Sequence, residues 1–285
     1  MADEFFNSVT IIGVGLIGGS LSIALKEQRL ANRVIGFGRD ENRLKEALKL
    51  GIIDSYTLSL KETTNSELIV LATPMGVFEK ILMPIVSFLR EGTIVIDVGS
   101  VKKQVVESLE KILPPHAHFI GTHPIAGSDR KGFEYAKGDL FRSAKVILTP
   151  TERTDKPSLD KIAKMWEKLG AVVEIMSADT HDKIYALMSH LPHLVSFSLV
   201  NTIDKIDKNL INYAGSGFKD TTRIARSDPT IWKDIFCMNR HYLLGALKEY
   251  IKILESFKNM LEDGSSEESI FEFIERAKRL RESID

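Results

Sequence analysis

Three short polar stretches in this chain each follow an apolar run, where a folded core has no use for them. Thr73-Pro74 follows Leu68-Ile69-Val70-Leu71. Ser100-Val101-Lys102 follows the run from Thr93 to Val98, and Thr122-His123-Pro124 follows His118-Phe119-Ile120-Gly121. His123 is the acid–base candidate, because only imidazole titrates near neutrality without help. A histidine at a strand end also serves as a structural hydrogen-bonder. Ser189-His190-Leu191-Pro192-His193 puts two histidines three residues apart, so they could share a helical face as metal ligands do. No further ligand is near them in sequence, and the expectation is that no metal is bound. Pro192 interrupts the helical ladder and points to a shaped pocket. Phe218-Lys219-Asp220-Thr221-Thr222-Arg223-Ile224-Ala225 follows the flexible Gly215-Ser216-Gly217. Arg223 there can grip a carboxylate through two N–H bonds or pair with a neighbouring acid.

A second chemistry lies near the N-terminus. Gly13-Val14-Gly15-Leu16-Ile17-Gly18-Gly19 stands between the apolar run Val9-Thr10-Ile11-Ile12 and the helix-like run Ser20 to Leu25. Gly13 permits a tight turn, Gly15 lets the backbone approach a pyrophosphate, and Gly18 lets helix and strand pack closely. The helix N-terminus offers free N–H groups and partial positive charge to that pyrophosphate. The strand–turn–helix context makes this a dinucleotide site. Its candidate residues are Gly13, Gly15, Leu16, Ile17 and Gly18, with Arg39, Thr73, Pro74 and Ser100. Gly38 stands where an acidic ribose ligand is usual, followed by Arg39 and Asp40. Arg39 suits a phosphate or an adenine face, and Asp40 could return to the ribose. These residues leave NAD and NADP open.

The elements that must position these residues fall into two blocks. Up to Ser177, apolar strands alternate with helices. Strands are expected at Val9–Ile12, Arg33–Phe37, Glu67–Ala72, Thr93–Val98, His118–Gly121, Lys145–Thr149 and Val172–Met176. Helices are expected at Asn42–Leu50, Lys102–Ile112 and Ser158–Leu169, and a helix broken by Pro84 at Val77–Leu89; Thr122–Gly132 reads as a loop. That alternation predicts an α/β fold, a Rossmann-type parallel sheet with helices on both faces and ligands beyond the carboxyl ends of its strands. After Ser177 only helical spacing remains, over Asp182–Asp204, Trp232–Leu261 and Glu267–Ile284, with Ser266 and Ser269 as capping candidates. The expected domains are 1–177, dinucleotide-binding, and 178–285, a helical substrate and dimerisation domain. Long helices with too little chain to cover them predict a homodimer.

Composition narrows the remaining classes. The 285 residues carry a net charge of −1, so no basic field argues for nucleic acid. The one cysteine, Cys237, excludes an internal disulfide framework and is expected to be a small buried hydrophobe. No apolar run approaches a membrane span, and Met1–Asn7 lacks the parts of a signal peptide. The expected location is cytoplasmic.

Together these motifs resemble the prephenate/arogenate (cyclohexadienyl) dehydrogenase family of tyrosine biosynthesis. The resemblance rests on Gly13 to Ser20, Asp97-Val98-Gly99-Ser100-Val101-Lys102, His123-Pro124-Ile125-Ala126-Gly127, Ser189 to His193, and Phe218 to Ala225, in the family's order across nearly the whole chain. It implies oxidative decarboxylation of prephenate or arogenate with hydride transfer to NAD(P), by a Rossmann domain joined to a helical dimerisation domain. The resemblance leans to NAD as the cofactor, with NADP possible. It further implies that His123 accepts a hydrogen bond from the ring 4-hydroxyl and that Ser100 orients His123 and the nicotinamide. Arg223 would bind a substrate carboxylate, and His193 would line the substrate site. Two departures stand out. Ser128-Asp129-Arg130 replaces the usual Thr-Glu-Lys, which puts an ionic gate at Asp129 in doubt, and Gly38-Arg39 replaces the acidic ribose ligand. The end at Asp285 carries the expectation of no regulatory or fused mutase domain. The competing readings are another Rossmann-plus-helical dehydrogenase, acting on a hydroxyacid or imine, and a dinucleotide-binding protein without turnover.

Overall fold

The run Phe6–Ile12 forms β1, whose last four residues are all buried, as in a strand covered on both faces. Gly13 then turns the chain at φ +101°, and a Cβ there would meet the Ala72 carbonyl oxygen at 2.7 Å. Helix α1 (Leu16–Glu27) follows. A Cβ on Gly18 would collide with the Gly13 carbonyl oxygen and lie 2.8 Å from Ile11, so this glycine sets how closely α1 packs on β1. The computed structural model describes residues 5–127, 130–264 and 266–284.

The chain continues through β2 (Ala31–Phe37), α2 (Glu41–Lys49), β3 (Ser55–Thr57), α3 (Leu60–Thr63), β4 (Leu68–Leu71) and α4 (Phe78–Leu82). Next come β5 (Ile94–Asp97), α5 (Lys103–Ile112), β6 (His118–Pro124), β7 (Lys145–Thr149), α6 (Lys156–Lys168) and β8 (Val172–Ile175). These strands form one eight-stranded sheet in the order β3-β2-β1-β4-β5-β6-β7-β8. Every pairing is parallel except β6 with β7. The sheet bears out the doubly covered α/β expectation. Alternate residues feed opposite faces: Ile11, Leu68, Val70 and Ile96 pack with Leu21, Leu25, Ile162 and Trp166, while Ile12, Ile69, Leu71 and Val95 pack with Phe78, Leu82, Val105 and Leu109.

Several expectations need correction. The expected loop at Thr122 is strand as far as Pro124, held by antiparallel pairing to β7, so His123 faces Ile147 across a ladder. A three-residue strand, β3, lies at Ser55–Thr57 where the sequence pattern predicts none. Val77–Leu89 is not one kinked helix; only α4 is α-helical, with single 3-10 turns at Met75–Val77 and Val86–Phe88 on either side of it. Cys237 is exposed rather than buried.

Beyond β8 the described chain is helical. Helix α7 (Ala178–Tyr185) runs into a π turn at Ala186–His190, and α8 (Leu191–Asp207) begins with Pro192 in its first turn. The helix is continuous through this region, and the expected interruption of its ladder near Pro192 is seen as the π turn directly before it. Helices α9 (Ser216–Thr222) and α10 (Pro229–Met238) follow. Contacts divide the chain into a unit that ends at Asn239 and a second that starts at Arg240. The second holds α11 (Arg240–Glu262) and α12 (Glu267–Glu282), so the helix expected over Trp232–Leu261 is two helices. Ser266 caps α12 by accepting from the Ser269 amide, as expected. Leu254, Leu261, Phe271, Ile274 and Leu280 of this unit are exposed. Among the described residues no helix is long and apolar enough to cross a membrane.

Candidate active site

A cleft of about 580 Å³ opens at the carboxyl ends of β1, β4 and β5. One wall is the turn into α1, with Gly15, Leu16 and Ile17, together with Thr73 and Pro74 after β4. Ser100, His193, Arg223 and Trp232 line the remainder, with Ala126, Gly127 and Lys131. Thus eight of the site residues expected from sequence share one cavity: Gly15, Leu16, Ile17, Thr73, Pro74, Ser100, His193 and Arg223. Gly13 and Gly18 shape the turn without lining the cleft. Arg39 is exposed on the turn after β2, outside the lining. Asp129 lies outside the described residues, so a gate there has no structural account.

The nucleotide wall fits a pyrophosphate. A Cβ built on Gly15 meets nothing within 4 Å, so the backbone there borders open space that a side chain would fill. Helix α1 has Gly15 as its N-cap, with no side chain bonded to its first amides and no acidic residue in its first turn. Those amides and the helix dipole are available to an anion. Asp40 is the N-cap of α2: its Oδ1 accepts from the amides of Asn42 and Arg43 at 3.0 and 3.2 Å.

Beneath the opposite wall is a buried polar cluster. Lys102 is fully buried; its ammonium donates to Asp97 and to the Thr122 carbonyl, the latter at 2.7 Å. Asp97 also accepts from the amides of Gly99 (2.8 Å) and Thr122 (3.1 Å). Burial pushes the Asp97 carboxyl up and the Lys102 ammonium down, and their mutual contact opposes both shifts. This pair ties the end of β5 to β6 and so fixes Ser100 and His123 relative to each other. The amides of Lys102 and Lys103, at the start of α5, donate to the carboxylate of Asp182 at 2.8 and 3.0 Å.

His123 is half-buried and is not on the cleft lining. Its Nδ1 lies 2.8 Å from Nε2 of His181, whose Nδ1 lies 2.8 Å from Asp182. Tyr185 packs edge-on against His123, with centroids 5.1 Å apart. Burial, followed by the neighbouring His181 and Lys102, holds the His123 pKa well below the ordinary histidine value, so the ring is neutral at pH 7. Sequence reasoning passed over His181 and Asp182, which are buried and carry no motif of their own.

His190 and His193 part company. His190 is buried and accepts from Asn239 at 3.0 Å. His193 is on the cleft, donates from Nδ1 to the Ser189 carbonyl at 2.9 Å and stacks on Trp232. Among the described residues no group of three or more His, Cys, Asp or Glu is placed to hold an ion. Arg223 sits where α9 gives way to a 3-10 turn, exposed to the cleft and in no ion pair among the described residues. One site thus combines a bare helix N-terminus, a guanidinium and neutral imidazoles.

Comparison with known proteins is concordant over the whole chain. Residues 21–175 match the family model "Prephenate dehydrogenase, nucleotide-binding domain", and residues 177–278 match "Prephenate dehydrogenase, dimerization domain". Prephenate dehydrogenase of Bacillus subtilis is 33% identical over 294 aligned positions, covering 99% of this chain and 77% of the relative. Cyclohexadienyl dehydrogenase of Zymomonas mobilis is 31% identical, covering 90% and 89%. The structure of prephenate dehydrogenase from Aquifex aeolicus, in complex with hydroxyphenyl propionate and NAD+, superposes with a TM-score of 0.92 at 38% identity, covering 98% of both chains.

Proposed function

The chain belongs to the prephenate dehydrogenase family, and from that premise we infer that it is an NAD-dependent oxidoreductase of tyrosine biosynthesis acting on prephenate, arogenate or both. The reaction is oxidative decarboxylation: a hydride leaves ring carbon C4, CO2 leaves C1, and the ring becomes aromatic. The observation that carries this reading is the single cleft in which the bare α1 N-terminus faces Arg223, His193 and Ser100.

Gly15, Leu16 and Ile17 would hold the pyrophosphate, with Thr73, Pro74 and Ser100 along the nicotinamide end. Bound there, NAD supplies the hydride acceptor. Arg223 holds a substrate carboxylate by paired charge-assisted bonds. His193 presents Nε2 to the substrate, because its Nδ1 is engaged by Ser189. Ser100 orients the reacting groups. His123, on β6 just before Ala126 and Gly127 of the lining, accepts the hydrogen bond of the 4-hydroxyl. Charge that develops at C4 as hydride departs is eased by that bond, and positioning does much of the rest.

We further place the functional boundary after residue 177, with 178–285 contributing substrate contacts and a homodimer interface. The exposed apolar residues of α11 and α12 and the family's dimerisation segment support the dimer. A cytoplasmic location is in keeping with this metabolic role. The test is kcat/KM for prephenate and for arogenate with NAD, following reduced cofactor and aromatic product together. Turnover of at least one substrate is expected; activity only on hydroxyacids or imines would replace this reading with the competing one.

A further inference from the structure

The buried residues His181 and Asp182 form a directional chain that ends on His123. Both carboxylate oxygens of Asp182 meet N–H donors: the amides of Lys102 and Lys103, and the ring of His181. With only donors around it, Asp182 acts as a carboxylate acceptor. His181 must therefore carry its proton on Nδ1. It is fully buried, and burial lowers its pKa to about 2, so it has one ring proton and Nε2 holds a lone pair. That lone pair lies 2.8 Å from Nδ1 of His123, which must then be the donor. Nε2 of His123 is left as an acceptor, with no other partner among the described residues. Tyr185 packs on both rings, with centroids 4.5 Å from His181 and 5.1 Å from His123, and limits their rotation.

We propose that His181 and Asp182 are positioning residues that fix His123 in the tautomer with its proton on Nδ1, so that Nε2 is always presented as the acceptor for the substrate hydroxyl. The inference rests on the function assigned to His123 above. An isolated imidazole prefers neither nitrogen strongly, and the bond made by one nitrogen decides the state of the other. In the wrong tautomer His123 would donate toward the hydroxyl and could not take up its proton. When the O–H bond weakens and an Nε2–H bond forms, the His123 ring gains positive charge. The Nδ1–H bond to His181 strengthens, and the Asp182 carboxylate balances the charge from beyond that ring. The arrangement parallels an aspartate that orients a catalytic histidine, with one additional imidazole between them. Asp182 also bonds the first amides of α5, so it is placed by the helix and not by a mobile loop.

The test combines nitrogen NMR of the wild-type protein with two substitutions. In wild type, 15N-labelled His123 is expected to show a protonated Nδ1 and an unprotonated Nε2 at pH 7.5. His181→Leu removes the acceptor and should shift His123 toward the other tautomer. It should lower kcat about 10²-fold, the low end of what a positioned acid–base group contributes, with KM and NAD affinity within about threefold. His181→Gln keeps an acceptor toward His123 and a donor toward Asp182, and should recover most of kcat. A wild-type His123 protonated on Nε2, or a folded His181→Leu protein with kcat within about twofold of wild type, would overturn the proposal. The tautomer measurement needs neither substrate nor a folded variant. It therefore decides the relay even if prephenate and arogenate were not turned over, a result that would remove only the function reading.

Discussion

His193 lies flat on Trp232, with ring centroids 3.6 Å apart and planes 21° from parallel. The stack and the Nδ1 bond to the Ser189 carbonyl together hold one imidazole of the cleft in a single orientation. Trp232 also packs on Phe197 and Phe236 and is 9% exposed. Replacing it with leucine should preserve most of the packing and lose the stack. The expected result is a KM for substrate raised several-fold with kcat little changed, and a stability loss of about 1–3 kcal/mol from the altered core shape. Steady-state kinetics and denaturant melts check both parts.

His123→Asn removes the basic imidazole nitrogen that would take up the 4-hydroxyl proton and keeps a polar side chain on β6. It should reduce kcat by about 10²–10⁴-fold with a modest change in KM. Near-normal kcat in a folded variant would exclude His123 from the chemistry.

Arg223 borders the cleft with no acid bonded to it among the described residues. Arg223→Ala should raise KM for substrate at least about tenfold, because a charge-assisted hydrogen bond contributes roughly 1.5–3 kcal/mol. NAD affinity, measured by fluorescence titration, should not change. Unchanged KM would leave Arg223 without a role in binding.

The cofactor end gives a different kind of prediction. Since Asp40 is engaged as the cap of α2, Asp40→Ala should lower stability by about 1 kcal/mol and leave the NAD:NADP ratio nearly unchanged. Arg39→Ala tests whether the exposed guanidinium meets a 2′-phosphate. NADP binding should then weaken far more than NAD binding, whereas equal small losses would mean that it only stacks on adenine.

Acid should destabilise the fold through its buried histidines. Burial depresses the pKa of His181 to about 2 and that of His190 to about 4, from an unfolded value near 6.5. The unfolded chain therefore binds more protons below pH 6.5. Stability is fully present above that pH and declines as pH falls, by up to about 1.4 kcal/mol per pH unit for each group. Melting temperature should drop between pH 7 and pH 5, and His190→Gln should flatten the slope. A melting temperature constant over that range would contradict the assigned neutral states. The neutral state of His123, favoured by burial, likewise predicts a kcat/KM that stays level from pH 7 to 8 and falls only in acid.

The parts of this site that were legible in sequence are those fixed by local geometry or carried by contiguous motifs. Gly13 and Gly18 are required by a turn and a close approach within one strand–turn–helix unit, so they can be read without the rest of the fold. Arg223, Ser100 and His193 stand in short motifs that reach the cleft from three separate elements. The relay behind His123 was hidden for the opposite reason. His181 is 58 residues away in sequence, and no periodicity shows that α7 packs beside β6. The end of β6 was hidden by Pro124, which reads as a terminator; as the last residue of the strand it needs no ladder N–H, and Ile125 donates to Lys145 just beyond it. The helix end at Met238 lacks a glycine or proline signal. There Asn239 is held by Asp182 and His190, a tertiary cause invisible in the local sequence.

In the proposed mechanism one cleft couples loss of the C4 hydrogen to loss of CO2. The most direct measurement uses prephenate or arogenate carrying deuterium at C4, incubated with NAD at neutral pH. Deuterium in the reduced nicotinamide is then counted against CO2 released. One deuterium transferred per CO2 is expected with the preferred substrate, and both signals should be lost together in His123→Asn. Reduced cofactor without CO2, or CO2 without deuterium in the nicotinamide, would contradict it.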